Sequence, residues 1–79
     1  PSTVLTYRTS ERSNVELIVT DMTGRTVARL VDREMVAGTH SATFDAAKLS
    51  GGSYFASIRI IGLESGMNYN RMVKMLLIK

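Results

Sequence analysis

VELIVTDMTGRTVARLV, residues 15–31, decides how the rest of this chain is read. In its first half Val15, Leu17 and Val19 alternate with Glu16, Ile18 and Thr20. A period of two is the mark of a strand with one face on a core. Asp21-Met22-Thr23-Gly24 follows as a polar turn. Gly24 can supply the positive φ that a short loop needs, and the Asp21 carboxylate can accept from the turn amides. The second half returns as a strand from Arg25 to Val31, so the stretch predicts a β-hairpin. Val27 and Leu30 both look inward there, and their spacing of three breaks the alternation and predicts a bulge.

Outward from this hairpin the chain reads as more strands. Thr3 to Thr9 alternates with Leu5 and Tyr7 on one face, and Ser10 to Asn14 is a polar turn into the hairpin. Asp32-Arg33-Glu34 reads as a charged turn, and Met35 to Gly38 leads into a strand from Thr39 to Asp45 with His40, Ala42 and Phe44 on one face. Ala46 to Gly52 is a loop with room for one helical turn. Ser53 to Ile61 is the next strand, with Tyr54, Ala56, Ile58 and Ile60 pointing one way and Phe55, Ser57 and Arg59 the other. Gly62 to Asn70 is a polar connection, and Arg71 to Lys79 is a last strand. Six or seven short strands at roughly 8–12-residue intervals argue for an antiparallel sandwich. The expected fold is therefore all-β, an Ig-like or fibronectin-III-like sandwich of about seven strands, with residues 1–79 as a single domain.

Composition narrows the function. The 79 residues are 44% hydrophobic and 22% charged, the profile of a globular chain rather than a disordered one. A chain this short buries only about 60% of its unfolded surface. It has no cysteine, hence no disulfide framework and no thiolate metal site. The net charge of +3 is small and scattered, which argues against nucleic acid as a partner. No apolar run approaches the ~20 residues of a membrane helix; the longest is Met75-Leu76-Leu77-Ile78. Pro1-Ser2-Thr3 opens directly onto strand-like sequence, with no signal peptide in view, and suggests a carboxy-terminal module of something longer.

No reactive constellation emerges. His40 is the one histidine, and on a strand face beside Ala42 and Phe44 it reads as a half-buried ring bonded to nearby backbone or Ser/Thr groups. Catalysis would need a nucleophile or acid within its reach, and a metal site would need further ligands at matching spacing. The carboxylates Glu11, Asp21, Glu16, Asp32, Glu34, Asp45 and Glu64 fall mostly in or beside turns, where such groups cap backbone or solvate loops. Calcium at Asp21, Asp32 or Asp45 would lack an EF-hand spacing. Gly51-Gly52 precedes a strand, whereas a phosphate loop opens a helix. No catalysis, metal or cofactor is expected.

The closing strand is the unusual feature. Val73, Met75 and Leu77 can face a core, which leaves Met72, Lys74, Leu76 and Ile78 outside. Leu76 and Ile78 then form a partly apolar outer side. That suits either a last strand packed by a neighbouring segment or upstream domain, or a strand that another protein grasps through its edge or outer face, with Lys74 and Lys79 adding charge steering.

The order of these motifs resembles the type A carboxy-terminal sorting domain of the type IX secretion system of Bacteroidetes-like bacteria. The pieces that carry the resemblance are Pro1-Ser2-Thr3 leading to Leu5 and Tyr7, Asn14-Val15-Glu16-Leu17, and Asp21-Met22-Thr23-Gly24-Arg25-Thr26-Val27. Leu30-Val31-Asp32, Ala37-Gly38-Thr39-His40 and Phe44-Asp45 follow. Leu49-Ser50-Gly51-Gly52-Ser53-Tyr54-Phe55 and Met72 to Lys79 complete the series. The resemblance implies a seven-stranded sandwich that directs an upstream cargo domain through the periplasm and across the outer membrane, to the cell surface or the outside. It implies outer-membrane secretion-machinery proteins as partners. It also implies a C-terminal signal peptidase or sortase that removes the domain and anchors the cargo to lipopolysaccharide. The recognition signal then maps to Tyr54, Phe55, Lys74, Met75, Leu76, Leu77, Ile78 and Lys79. The same motif order occurs in the Ig-like domain of the flagellar hook-capping protein, so a structural or adhesive module, or a spacer behind a secreted hydrolase, is the alternative. An exposed strand edge also offers a route to an edge-to-edge dimer.

Overall fold

A computed structural model describes residues 2–78 of the chain. Six strands follow in order: β1 (Ser2–Thr9), β2 (Ser13–Asp21), β3 (Thr26–Met35), β4 (Gly38–Asp45), β5 (Gly52–Gly62) and β6 (Asn68–Leu77). They form two antiparallel sheets, β3-β2-β5-β6 and β1-β4. The chain enters through the small sheet, crosses to the large one for the β2–β3 hairpin, returns for β4, and crosses again for β5–β6. The Cα extents of 42 × 21 × 16 Å are those of a thin two-layer slab.

The deciding hairpin forms as the alternation dictates. Val15, Leu17 and Val19 are buried on the inner face of β2. The turn is tied by Asp21, whose carboxylate accepts from the Thr23 amide at 2.9 Å, the Thr23 hydroxyl at 2.6 Å and the Arg25 amide at 3.1 Å. Gly24 takes a φ of 88°, a left-handed value that a β-carbon resists. The expected bulge is present twice. The β2–β3 register slips between Leu17 and Ile18, and again between Val19 and Thr20. These slips leave Leu30 and Val27 without a residue opposite, and both pack against the core.

That core lies toward one end of the slab: Val19, Phe44, Ala46 and Tyr54 are buried together, with Leu5, Leu49, Met75 and Leu77 packed against them. The Tyr54 hydroxyl donates to the Ser50 carbonyl at 2.6 Å and pins the β4–β5 loop. At the other end two buried hydroxyls hold the sheet crossings. Thr9 donates to the Val36 carbonyl at 3.0 Å, and Ser13 to the Glu11 carbonyl at 2.9 Å.

Four expectations need correction. Among the described residues the strands number six, not about seven, with two in the small sheet. Asp32-Arg33-Glu34 is not a turn but part of β3, opposite Glu16, Val15 and Asn14. Its two carboxylates are paired: Asp32 lies 3.9 Å from Arg29, which also bridges Glu16 of β2 at 2.9 Å, and Glu34 pairs with Arg12. A charged run reads as a turn only when nothing balances it. The polar connection after β5 is also shorter than expected, since Asn68–Asn70 already belong to β6. The Ala46–Gly52 loop holds a tight turn, closed by the Leu49 amide on the Ala46 carbonyl at 3.0 Å, and no helix.

Candidate functional site at the end of the last strand

The β5–β6 ladder brings together the two halves of the expected site. Tyr54 stands opposite Met75 and Phe55 opposite Lys74, with Ser53 and Gly52 facing Leu76 and Leu77. The pleat then divides them. Tyr54, Met75 and Leu77 point inward, where Tyr54 is buried and the other two pack on the core cluster. Phe55, Lys74 and Leu76 share the outer face, with Leu76 68% exposed. Ile78, just past the strand, is 78% exposed. Lys79 lies outside the described residues.

The end of β6 borders a hollow of about 260 Å³, lined by Phe44 and Tyr54 beneath and by Leu76, Leu77 and Ile78 at the rim. Ser2 and Thr3 of β1 form its other wall. Apolar side chains around a hollow, beside a free strand edge, suit an extended or apolar protein element. Lys74 makes no ion pair among the described residues, so its charge is available to a partner. Met72, 65% exposed, extends the apolar outer face toward Ile18 across Ser57. It falls outside the expected set, although its outward parity with Leu76 was readable in the sequence.

The residues weighed for chemistry are occupied structurally. The His40 ring nitrogen Nε2 lies 2.7 Å from the Val36 carbonyl, and the ring tilts against Tyr7 with centroids 5.4 Å apart. Glu11 accepts from the Glu64 and Ser65 amides at 2.8 and 2.9 Å and from the Ser65 hydroxyl. Those bonds hold its carboxyl below the usual range, led by the Ser65 hydroxyl. Asp21 is lowered in the same direction, first by the Thr23 hydroxyl. Asp45 caps the Ala47 amide at 3.0 Å. Among the described residues no three His, Cys, Asp or Glu side chains group to hold a metal ion.

Strand edges, apolar strand faces and structurally engaged polar groups define a small β-sandwich of the recognition-module class. The chain belongs to the secretion system C-terminal sorting domain family, whose model matches residues 2–73. It is a C-terminal sorting signal for type IX secretion, which implies export to the cell surface or beyond and contact with that machinery. No curated protein and no solved structure matches it. The matched region holds Tyr54 and Phe55 and stops one residue short of Lys74.

Proposed function

We propose that this domain, as one module behind an upstream cargo, carries its address on the outer and terminal face of β6. Secretion-machinery proteins of the outer membrane would read that face, and a C-terminal signal peptidase or sortase would then act on the delivered cargo. The observation that carries this reading is the exposure of Leu76 and Ile78, at 68% and 78%, beside the hollow at the β6 end. Apolar side chains left in water on a small domain favour a receptor that buries them, at roughly 1.5–3 kcal/mol each. Lys74 would steer the encounter and fix orientation. The role needs no catalysis by this chain.

The test is export of the full-length cargo carrying Leu76→Ser with Ile78→Ser. Retention of the folded variant in the periplasm is the expected result. Export at the normal rate would remove the terminal face from the recognition mechanism.

A further inference from the structure

The two-stranded sheet is too narrow to cover the four-stranded one, and the uncovered part is a groove of about 680 Å³. Its floor is the inner face of the large sheet: Ala56, Ile58 and Ile60 of β5, and Tyr69, Arg71 and Val73 of β6. Only inward-parity residues of those strands line it. On β1 the pattern differs, because every residue from Leu5 through Thr9, and Ser10 beyond the strand, lines the groove. Consecutive residues of both parities can border one groove only if the wall is the edge of the strand. β1 pairs with β4 alone, so this wall is its unpaired backbone edge. Val73 and Tyr69 face the core side yet remain 45% and 44% exposed, which marks the missing cover.

We infer that this groove accepts an extended, acidic segment of another polypeptide as a third strand on β1. The ladder along Leu5 to Ser10 would run about 20 Å at about 3.3 Å per residue. Alternate apolar side chains of the added strand would pack on Ile58, Ile60 and Val73. That turns its acidic side chains outward beside the exposed Arg8, while Arg71 on the floor adds to the positive field. Charge sets its sign. Arg8 and Arg71 line the groove, no carboxylate does, and neither arginine has an ion pair among the described residues. A second copy of this chain is the wrong occupant. Its β1 and β6 edges carry Arg8, Arg71 and Lys74, which would meet like charge, and the whole chain is +3. The site stands apart from the terminal face of β6 and does not depend on it.

The probe is an end-blocked peptide alternating valine and glutamate, added to the 79-residue chain, with amide hydrogen exchange and binding anisotropy as readouts. The glutamate peptide is expected to protect β1 amides between Leu5 and Ser10. A lysine counterpart is expected to bind about tenfold more weakly. The preference is expected to reverse in the double variant Arg8→Glu with Arg71→Glu. N-methylation of alternate peptide nitrogens is expected to abolish binding, since strand addition needs backbone donors. Equal binding of both peptides, or protection confined to the outer edge of β6, would overturn the inference. So would concentration-dependent protection of β1 without peptide, which would assign the groove to a second copy. Protection of β1 by residues preceding Pro1 in a longer chain would assign it to the cargo itself and overturn the inference as well.

Discussion

Tyr7 holds a buried hydroxyl with no hydrogen-bond partner among the described residues, while its ring packs usefully on His40. A buried, unsatisfied hydroxyl costs free energy that an apolar replacement of the same shape avoids. Tyr7→Phe is therefore expected to raise the unfolding free energy by about 1 kcal/mol in urea denaturation. The same burial raises the Tyr7 pKa above the ordinary tyrosine value, against a smaller opposing pull from Arg33. Burial disfavours the tyrosinate, so Tyr7 ionisation leaves stability untouched below about pH 10 and lowers it as pH climbs through the raised value. Tyr7→Phe should flatten that alkaline loss. Asp21 works in the opposite direction. Its folded pKa is lowered, so its contribution is present above the ordinary aspartate value of about 4 and is lost as pH falls through the lowered one. The Thr23 and Arg25 amide shifts, followed by NMR through an acid titration, should report that midpoint. A midpoint at or above the ordinary value would mean that the Asp21 bonds do not persist in solution.

The β5–β6 hairpin depends on a residue far from it in sequence. Glu11, in the β1–β2 turn, reaches across to the Glu64 and Ser65 amides, and the Leu63 amide donates to the Arg12 carbonyl at 3.0 Å. Gly62 makes room for this clamp, because a β-carbon there would collide with the Glu11 carboxylate. Gly66 closes the turn with a φ of 73°. Gly62→Ala and Glu11→Ala are thus expected to loosen the same loop, with Glu64 and Ser65 amides exchanging on the order of tenfold faster in each. The double variant should be no worse than either single one; additive effects would show that Gly62 acts through something other than the clamp. Elements such as this divide what the sequence could tell. Local alternation placed β1, β2, β4 and β5, and the spacing of Val27 and Leu30 foretold the bulges, because these signals lie within a few residues of each other. Asp32-Arg33-Glu34 misled because Glu34 pairs with Arg12 in the β1–β2 turn and the run lies opposite Asn14 to Glu16 of β2, both outside its own neighbourhood. The Glu11 clamp spans more than fifty positions and leaves no local signature. At the candidate site the parity of β6 was legible, and the resemblance named Tyr54 and Phe55 alongside it, but only the β5–β6 register shows the two stretches to be neighbours. The open face beside β1 was not legible, since Val73 alternates like any core residue and only the narrowness of the small sheet exposes it.

At the scale of the whole molecule, one strand is divided between core and solvent, and this governs how the proposed recognition can be tested. Met75 and Leu77 pack against the cluster of Val19, Phe44, Ala46 and Tyr54, while Leu76 and Ile78 stand in solvent. A domain of this length is stable by only about 4–12 kcal/mol at 0.05–0.15 kcal/mol per residue. Removing Lys74 to Lys79 from a cargo therefore takes away packing together with the proposed address, and such a truncation is expected both to lower the melting temperature and to leave the cargo in the periplasm. The pleat allows the two losses to be separated. Met75→Ser and Leu77→Ser, half-buried against the core, should each cost about 1–3 kcal/mol of stability. Leu76→Ser and Ile78→Ser should each change it by less than about 0.5 kcal/mol. If the outer face is what the secretion machinery reads, export will follow the second pair and not the thermal stability of the set. Export that falls only in proportion to stability across all four variants would instead mean that the machinery tests whether the sandwich is folded, and that the terminal strand matters as its keystone rather than as its label.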